Sequence, residues 1–361
     1  MSPISLVIAI AACAAVAQAS TLYTITDLGM LPGDTGSIGQ AINAVGEVTG
    51  SSMQSNGVGH AYLWNGTAMQ DLGTLGGSSS GGSGINDHAE VTGESKISGD
   101  MAYHAFLWNG TAMQDLGTLG GSNSGGIGIN NRGEVAGFSN TFGGATHAFS
   151  WNGTAMQDLG TLGGSYSIGF GINDRGEVTG GSTIFNGFGH AFLWNGSTMQ
   201  DLGTLDGRDS DSGGAGINSR GEVAGSSETS GNSIHAFLWD GTAMLDLGTL
   251  GGMNSYASGI NGAGQVVGYS ISSNGTPHAF LWDGTAMLDL NTLLINSDGW
   301  DLTAANSIND AGQITGVGTI SINGTAHAFL LTPVPEPASL PLAGMVVITA
   351  GILRRYMRVH Y

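Results

Sequence analysis

The sequence predicts an all-β fold, a seven-bladed β-propeller closed by pairing of its N-terminal strand with the last blade. Three observations carry this expectation. An HAF-like segment begins at His60, His104, His147, His190, His235, His278 and His327, at intervals of 43 to 49 residues, the period of a propeller blade. Each copy holds two hairpin signals, hence four short strands. The copies are also out of phase with the ends of the chain. "LYTITDLG" at 22–29 stands before the first copy, while "HAFLL" at 327–331 has no DLG strand after it. Seven complete blades exist only if the two ends share one. An open solenoid would leave both edge strands unpaired.

Taken from the N-terminus, residues 1–19 read as a signal peptide, an apolar run ending in Ala17-Gln18-Ala19, with cleavage after Ala19. Ile10 to Cys13 also has the form of a lipoprotein cleavage site. Cys13 is the sole cysteine, so the mature chain has no disulfide, and export without one fits a bacterial surface. Residues 20–332 are expected to form the propeller. Within each repeat, "HAFLW" and "TAMQDL" flank Asn109-Gly110 or its equivalents, a pair suited to a turn that needs two positive φ angles. Upstream, "GIGIN" and "GEVAGFS" flank a second turn at Asn130–Gly133. The 65 glycines recur at fixed offsets, in turns and in the first strand of each blade, where chains crowd the axis.

Of 27 acids and eight bases, Glu336 and three arginines lie beyond residue 333. The body therefore holds 26 acids against five bases, a net charge of −21. A surface so acidic repels nucleic acid and anionic lipid, which are excluded as partners.

Residues 333–361 are different in kind. Val334-Pro335-Glu336-Pro337 precedes an apolar run, Leu340 to Leu353, and then Arg354, Arg355 and Arg358. The run is short for a membrane span, and the basic end would stay in the cytoplasm. An ordinary terminal anchor accounts for it physically. In motif, helix and basic cluster this tail closely resembles the PEP-CTERM sorting signal of bacterial surface proteins. The resemblance implies recognition by a membrane exosortase, with release or attachment at the cell surface or in exopolysaccharide. Residues 22–331 resemble the HAF-repeat family of probable extracellular proteins, whose members often carry such tails. That family implies location and architecture and brings no settled activity.

Little in the repeat reads as chemistry. Seven related histidines suggest a metal ring, but zinc needs three or four ligands about 2.0 Å from one centre. The third strand of a blade lies away from the axis. Each histidine is therefore expected to bond backbone or an Asp side chain between strands. The recurrent Asp of DLG and the recurrent Glu or Gln after the turn follow the same logic, since a catalytic residue is needed once and not seven times. Phe106, Trp108 and their copies read as packing between blades. The Asn-Gly-Thr sequons are explained by the hairpin, because Asp replaces the Asn at 240 and 283.

Function is therefore expected where copies differ, in the segments between GEV and HAF and in those after DLG. Propeller connectivity brings both sets to one face. "DGRDSDSGG" at 206–214 holds Asp206, Asp209 and Asp211, the one candidate for Ca²⁺, although its spacing fits no complete calcium loop. No other cofactor is implied. Asp298, Trp300 and Asp301, in the long last connection, are candidate ligand contacts, an indole to stack on a sugar between two carboxylates; capping of the closing blade is the alternative. The reading that results is a non-enzymatic exported surface or matrix protein that binds extracellular polysaccharide or a surface protein. The alternatives are a glycan lyase or hydrolase, with Glu94, Asp100, Asp298 and Asp301 as its available acids, and a structural surface component.

Overall fold

A computed structural model describes residues 21–206, 212–320 and 324–335. The chain divides into a compact unit, Tyr23–Pro333, and a second made of Met1–Leu22 and Val334–Tyr361. Ala17 and Ala19 of the expected signal peptide lie outside the described residues. So do Glu336, Pro337, Arg354 and Arg355 of the expected sorting signal, of which only Val334 and Pro335 are described. Both expected terminal helices are thus outside the described residues as well. Among the described residues the one helical element is a 3-10 turn, Leu290–Leu293, and no helix is long and apolar enough to cross a membrane.

The unit is built of antiparallel four-stranded meanders. In the first, β2 (Gly36–Ile42), β3 (Val48–Met53), β4 (Gly59–Trp64) and β5 (Met69–Asp71) lie side by side in chain order. The pattern recurs over Gly76–Asp115, Gly120–Asp158, Gly163–Gly203, Ser212–Asp246 and Gly251–Asp289. A single parallel bridge, Thr146 to Tyr166, joins the third and fourth of these into one eight-stranded sheet. The last sheet has only three strands of its own, Trp300–Ile308, Ile314–Ile320 and Ala326–Pro333. Its fourth is β1 (Tyr23–Asp27), which runs antiparallel to Ala326–Pro333 from Tyr23 opposite Pro333 to Asp27 opposite Phe329. This is the strand sharing that the phase of the repeats predicted.

Local chemistry explains why the turns fall where they do. At the outer hairpins Gly66, Gly110 and Gly153 adopt φ near +95°. The preceding Asn65 accepts hydrogen bonds through Oδ1 from the amides of Thr67 and Ala68. Asp240 accepts the same bonds from Ala243 and Thr242, and they hold its carboxyl below the usual carboxylate range. Only an acceptor is needed there, so Asn and Asp interchange.

The core lies between neighbouring meanders. Tyr62, Phe106, Phe149, Phe192, Phe237, Phe280 and Phe329 are fully buried. Phe106 packs against Ala61 and Leu63 of the preceding repeat, as expected for packing between blades. Burying an aromatic ring completely contributes roughly 2–3 kcal/mol. Opposite each ring stands a glycine of the second strand, Gly93 for Phe106 and Gly137 for Phe149. A Cβ on Gly93 would overlap the Gly81 carbonyl oxygen and come within 2.9 Å of the Phe106 ring, so packing excludes any larger residue there.

Candidate functional site

Two belts of hydrogen bonds absorb most of the residues that repeat. In the inner belt Asn43 donates from Nδ2 to the Asn86 carbonyl, Asn86 to Asn130, Asn130 to Asn173 and Asn173 to Asn218. Asn218 donates to Asn261, Asn261 to Asn309, and Asn309 back to Asn43 at 2.9 Å. Seven asparagines thus close a circle. Each also donates to the Glu or Gln four residues on, as Asn130 does to Glu134 Oε2 and Asn261 to Gln265 Oε1. A carbonyl-type oxygen is all that partner must supply, which is why Gln replaces Glu at 265 and 313.

The outer belt is made of histidines. His60, His104, His147, His190, His235 and His278 place Nδ1 2.7–2.9 Å from Asp71, Asp115, Asp158, Asp201, Asp246 and Asp289. His327 meets Asp27 of β1 at 3.0 Å. The histidines therefore bond Asp side chains between the third and fourth strands, one of the two roles expected for them. Among the described residues no cluster of three or more His, Asp, Glu or Cys is arranged to hold a metal.

On the face holding the inner turns, the residue after each asparagine varies. Asp87, Asp174 and Asp310 stand there and line a cavity of about 240 Å³ at the mouth of the ring. Each accepts the backbone amide of the preceding turn, from Ala44, Asn131 and Gly262 respectively. Arg132, Arg175 and Arg220, on the same turns, each pair with the glutamate two residues on. The three arginines of this face are thus paired with carboxylates, and its aspartates accept backbone amides.

The opposite face carries the variable segments, as the antiparallel order requires. There, loops of three consecutive repeats present large apolar side chains to solvent: Met101, Phe142, Phe185 and Phe188, with Phe142 93% and Phe185 94% exposed. The matching loops of the first, fifth and sixth repeats hold Ser55, Ser230 and Ser273 where Phe142 and Phe185 stand. Isolated exposed apolar residues are ordinary on a surface; these four stand on the corresponding loops of three consecutive repeats.

Of the residues expected to contact ligand, Trp300 opens the strand Trp300–Ile308 half-buried. It packs edge-on against Phe329 and His327, with ring centroids 6.2 and 6.1 Å apart. Its indole thus contributes to the core of the closing sheet. Asp298, at φ +45° in the preceding turn, and Asp301 are both exposed. In the candidate calcium loop Asp206 accepts from Thr204 at 2.9 Å; Asp209 and Asp211 lie outside the described residues.

The other acids considered, Glu94 and Asp100, have different environments. Glu94 is half-buried and lines a cavity of about 170 Å³ with Tyr103 and Ser51, and desolvation raises its pKa above the usual carboxylate value. Asp100 is held below the usual value, chiefly by the Ser78 amide 2.7 Å away. The axial cavity, about 490 Å³, is lined by glycine, alanine, isoleucine, serine, Gln40, Phe170 and Asn306. Its lining holds no carboxylate pair of the kind glycoside hydrolysis uses.

No family model matches the chain, and no curated protein matches it. Solved structures do. A puromycin-hydrolysing peptidase of Mycobacterium tuberculosis is similar over 88% of this chain and 54% of its own, with 10% identity and a TM-score of 0.50. This chain spans about half the length of that protein. TolB from Acinetobacter baumannii is similar over 69% of this chain and 64% of its own, with 10% identity and a TM-score of 0.43. The β-propeller domain of the trilobed protease from Pyrococcus furiosus is similar over 74% of this chain and 98% of its own, with 10% identity and a TM-score of 0.40. At such identity the likeness is one of fold alone. The chain is an all-β repeat protein of propeller architecture.

Proposed function

We propose that this protein is a non-enzymatic, exported β-propeller of seven blades that binds polysaccharide at a bacterial cell surface or in its extracellular matrix. The single observation that carries the reading is the contrast between its two faces. One is spent on turns whose polar groups bond each other. The other displays Phe142, Phe185 and Phe188 to water on loops that differ from copy to copy. A rigid scaffold with variable loops on one side is the usual arrangement for recognition. Flat aromatic rings suit the apolar faces of sugars. The acidic body disfavours anionic partners.

Export and sorting rest on the two ends, Ala17 and Ala19 for the signal peptide and Val334 to Pro337 with Arg354 and Arg355 for the tail. In this reading a membrane exosortase acts on the tail, and the C-terminal apolar segment anchors the chain before processing. The test is the intact mass of the protein recovered from its native surface. A mass beginning at Ser20 and ending near the Pro-Glu-Pro motif is expected. A mass retaining both ends would contradict export by this route.

A further inference from the structure

The axial cavity holds a pattern invisible in any one repeat. In every first strand the pairing with the second slips by one residue near the axis. The slips fall between Gly39 and Ala41, Gly82 and Gly84, Gly126 and Gly128, and Gly169 and Gly171. They recur between Gly214 and Gly216, Ala257 and Gly259, and Ala305 and Ser307. Each slip is a β-bulge, which leaves one residue outside the ladder and re-aims its side chain. All seven bulged residues line the axial cavity.

These residues are unlike one another, and their differences are sorted around the ring. The third, fourth and fifth repeats contribute Ile127, Phe170 and Ala215, an apolar arc. The sixth, seventh, first and second contribute Ser258, Asn306, Gln40 and Ser83, a hydrogen-bonding arc. Asn306 donates to the Gly39 carbonyl at 2.8 Å, leaving its own carbonyl oxygen to accept. Among the described residues, no partner is found for the side chains of Gln40, Ser83 or Ser258. At the turn end isoleucines, including Ile42, Ile85 and Ile129, line both this cavity and the one at the mouth of the ring. Architecture alone asks only for a small residue at the bulge, as Ala215 and the two serines show. Neither Phe170 nor Gln40 is explained by closing a ring.

We propose that this cavity is a binding site for one neutral saccharide unit with an apolar substituent, its apolar side against Ile127, Phe170 and Ala215 and its hydroxyl or amide groups toward Gln40, Ser83, Ser258 and Asn306. The volume, about 490 Å³, lies within the roughly 300–1,000 Å³ common for small-molecule sites. A charged unit is disfavoured because none of the lining residues carries a charge to pair with it. The proposal rests on the polysaccharide reading above and narrows it to one sugar held at the axis, with the loops gripping the rest of the polymer.

The test uses protein recovered from the native surface, titrated by nuclear magnetic resonance with N-acetylglucosamine, methyl α-rhamnoside and glucuronate, and separately with the organism's own polysaccharide. The variants are Ser83→Ile and Ala215→Phe, side chains that other repeats already hold at the bulge, so folding is preserved by precedent. The expected result is binding of a neutral sugar, weakened at least tenfold by either variant and unchanged by Phe142→Ser, with glucuronate bound more weakly. Binding of the polymer without binding of any free sugar, or equal sugar binding by both variants, would overturn the axial site and leave the polysaccharide reading intact. Sugar binding lost in the variants with no affinity for the polymer would do the reverse. Failure of both ligands would overturn both.

Discussion

His327 and Asp27 are 300 residues apart in the chain, yet the imidazole Nδ1 stands 3.0 Å from the carboxylate, repeating across the join the pair made by His60 with Asp71 within one repeat. The ends are therefore held by the same contact that holds each meander together. Asp27 also accepts the Gly29 amide at 2.8 Å.

Asp27→Ala is expected to cost about 1–2 kcal/mol, as for other partly exposed charge-assisted hydrogen bonds. Deleting residues 20–29 does more, because it bares the edge of Ala326–Pro333. Size-exclusion chromatography should show that truncated chain as aggregate or dimer; a monomer melting within about 2 °C of the parent would refute closure by β1.

The inner belt separates two kinds of polar residue. Asn130 is buried; it donates to Glu134 and to the Asn173 carbonyl, and accepts from the amides of Arg132 and Glu134. Asn130→Ala is expected to lose about 3 kcal/mol by leaving those groups unpaired. Glu134→Gln keeps the acceptor and gives up only an exposed pair with Arg132, so chemical denaturation should find it within about 1 kcal/mol of the parent.

Gly137 sits opposite Phe149, and a Cβ there would overlap the Gly125 carbonyl oxygen and touch the ring at 2.9 Å. Gly137→Ala should destabilise by roughly 3 kcal/mol. Gly143→Ala, in an exposed loop with only Thr141 at 3.9 Å, should change the melting temperature little.

Much of this was legible in the sequence, and the reasons are specific. Asn109-Gly110 announces a turn, although of the two positive φ angles expected only Gly110 takes one, and Asn109 instead caps the turn by accepting the Thr111 and Ala112 amides through Oδ1; "LYTITDLG" betrays closure because it is one strand too many. The His–Asp pairs were readable as one of two roles, since both residues recur in register. What stayed hidden depends on contacts across repeats. The asparagine of "GIN" carries no sign that its amide reaches the next repeat. The bulged positions, Gln40 to Asn306, look like noise between small residues until the strand slips turn them to the axis. Trp300, read either as a sugar platform or as a cap on the closing blade, is half-buried against Phe329, a neighbour set by the closing strand.

Glu94 gives a pH test. Burial raises its pKa in the folded chain, so between the ordinary carboxylate value and that raised value the folded state holds more protons than the unfolded one. Stability then falls as pH rises through the window. Glu94→Gln should be the more stable protein at pH 7, and its advantage should shrink on acidification through that window and be gone below the ordinary carboxylate range. Melting curves across pH that stay parallel for the two proteins would show that Glu94 is not desolvated.

The most direct measurement is an equilibrium binding curve of the surface-recovered protein on the polysaccharide of the organism that makes it. It compares the parent with Phe142→Ser/Phe185→Ser/Phe188→Ser on the variable face and Asn109→Asp on the other, a change already present at 240 and 283. The expected result is tight binding by the parent and by Asn109→Asp, at least tenfold weaker binding by the triple variant, and stability within about 0.5 kcal/mol for the loop changes. Equal binding by the triple variant, or none by the parent, would contradict recognition through the variable face.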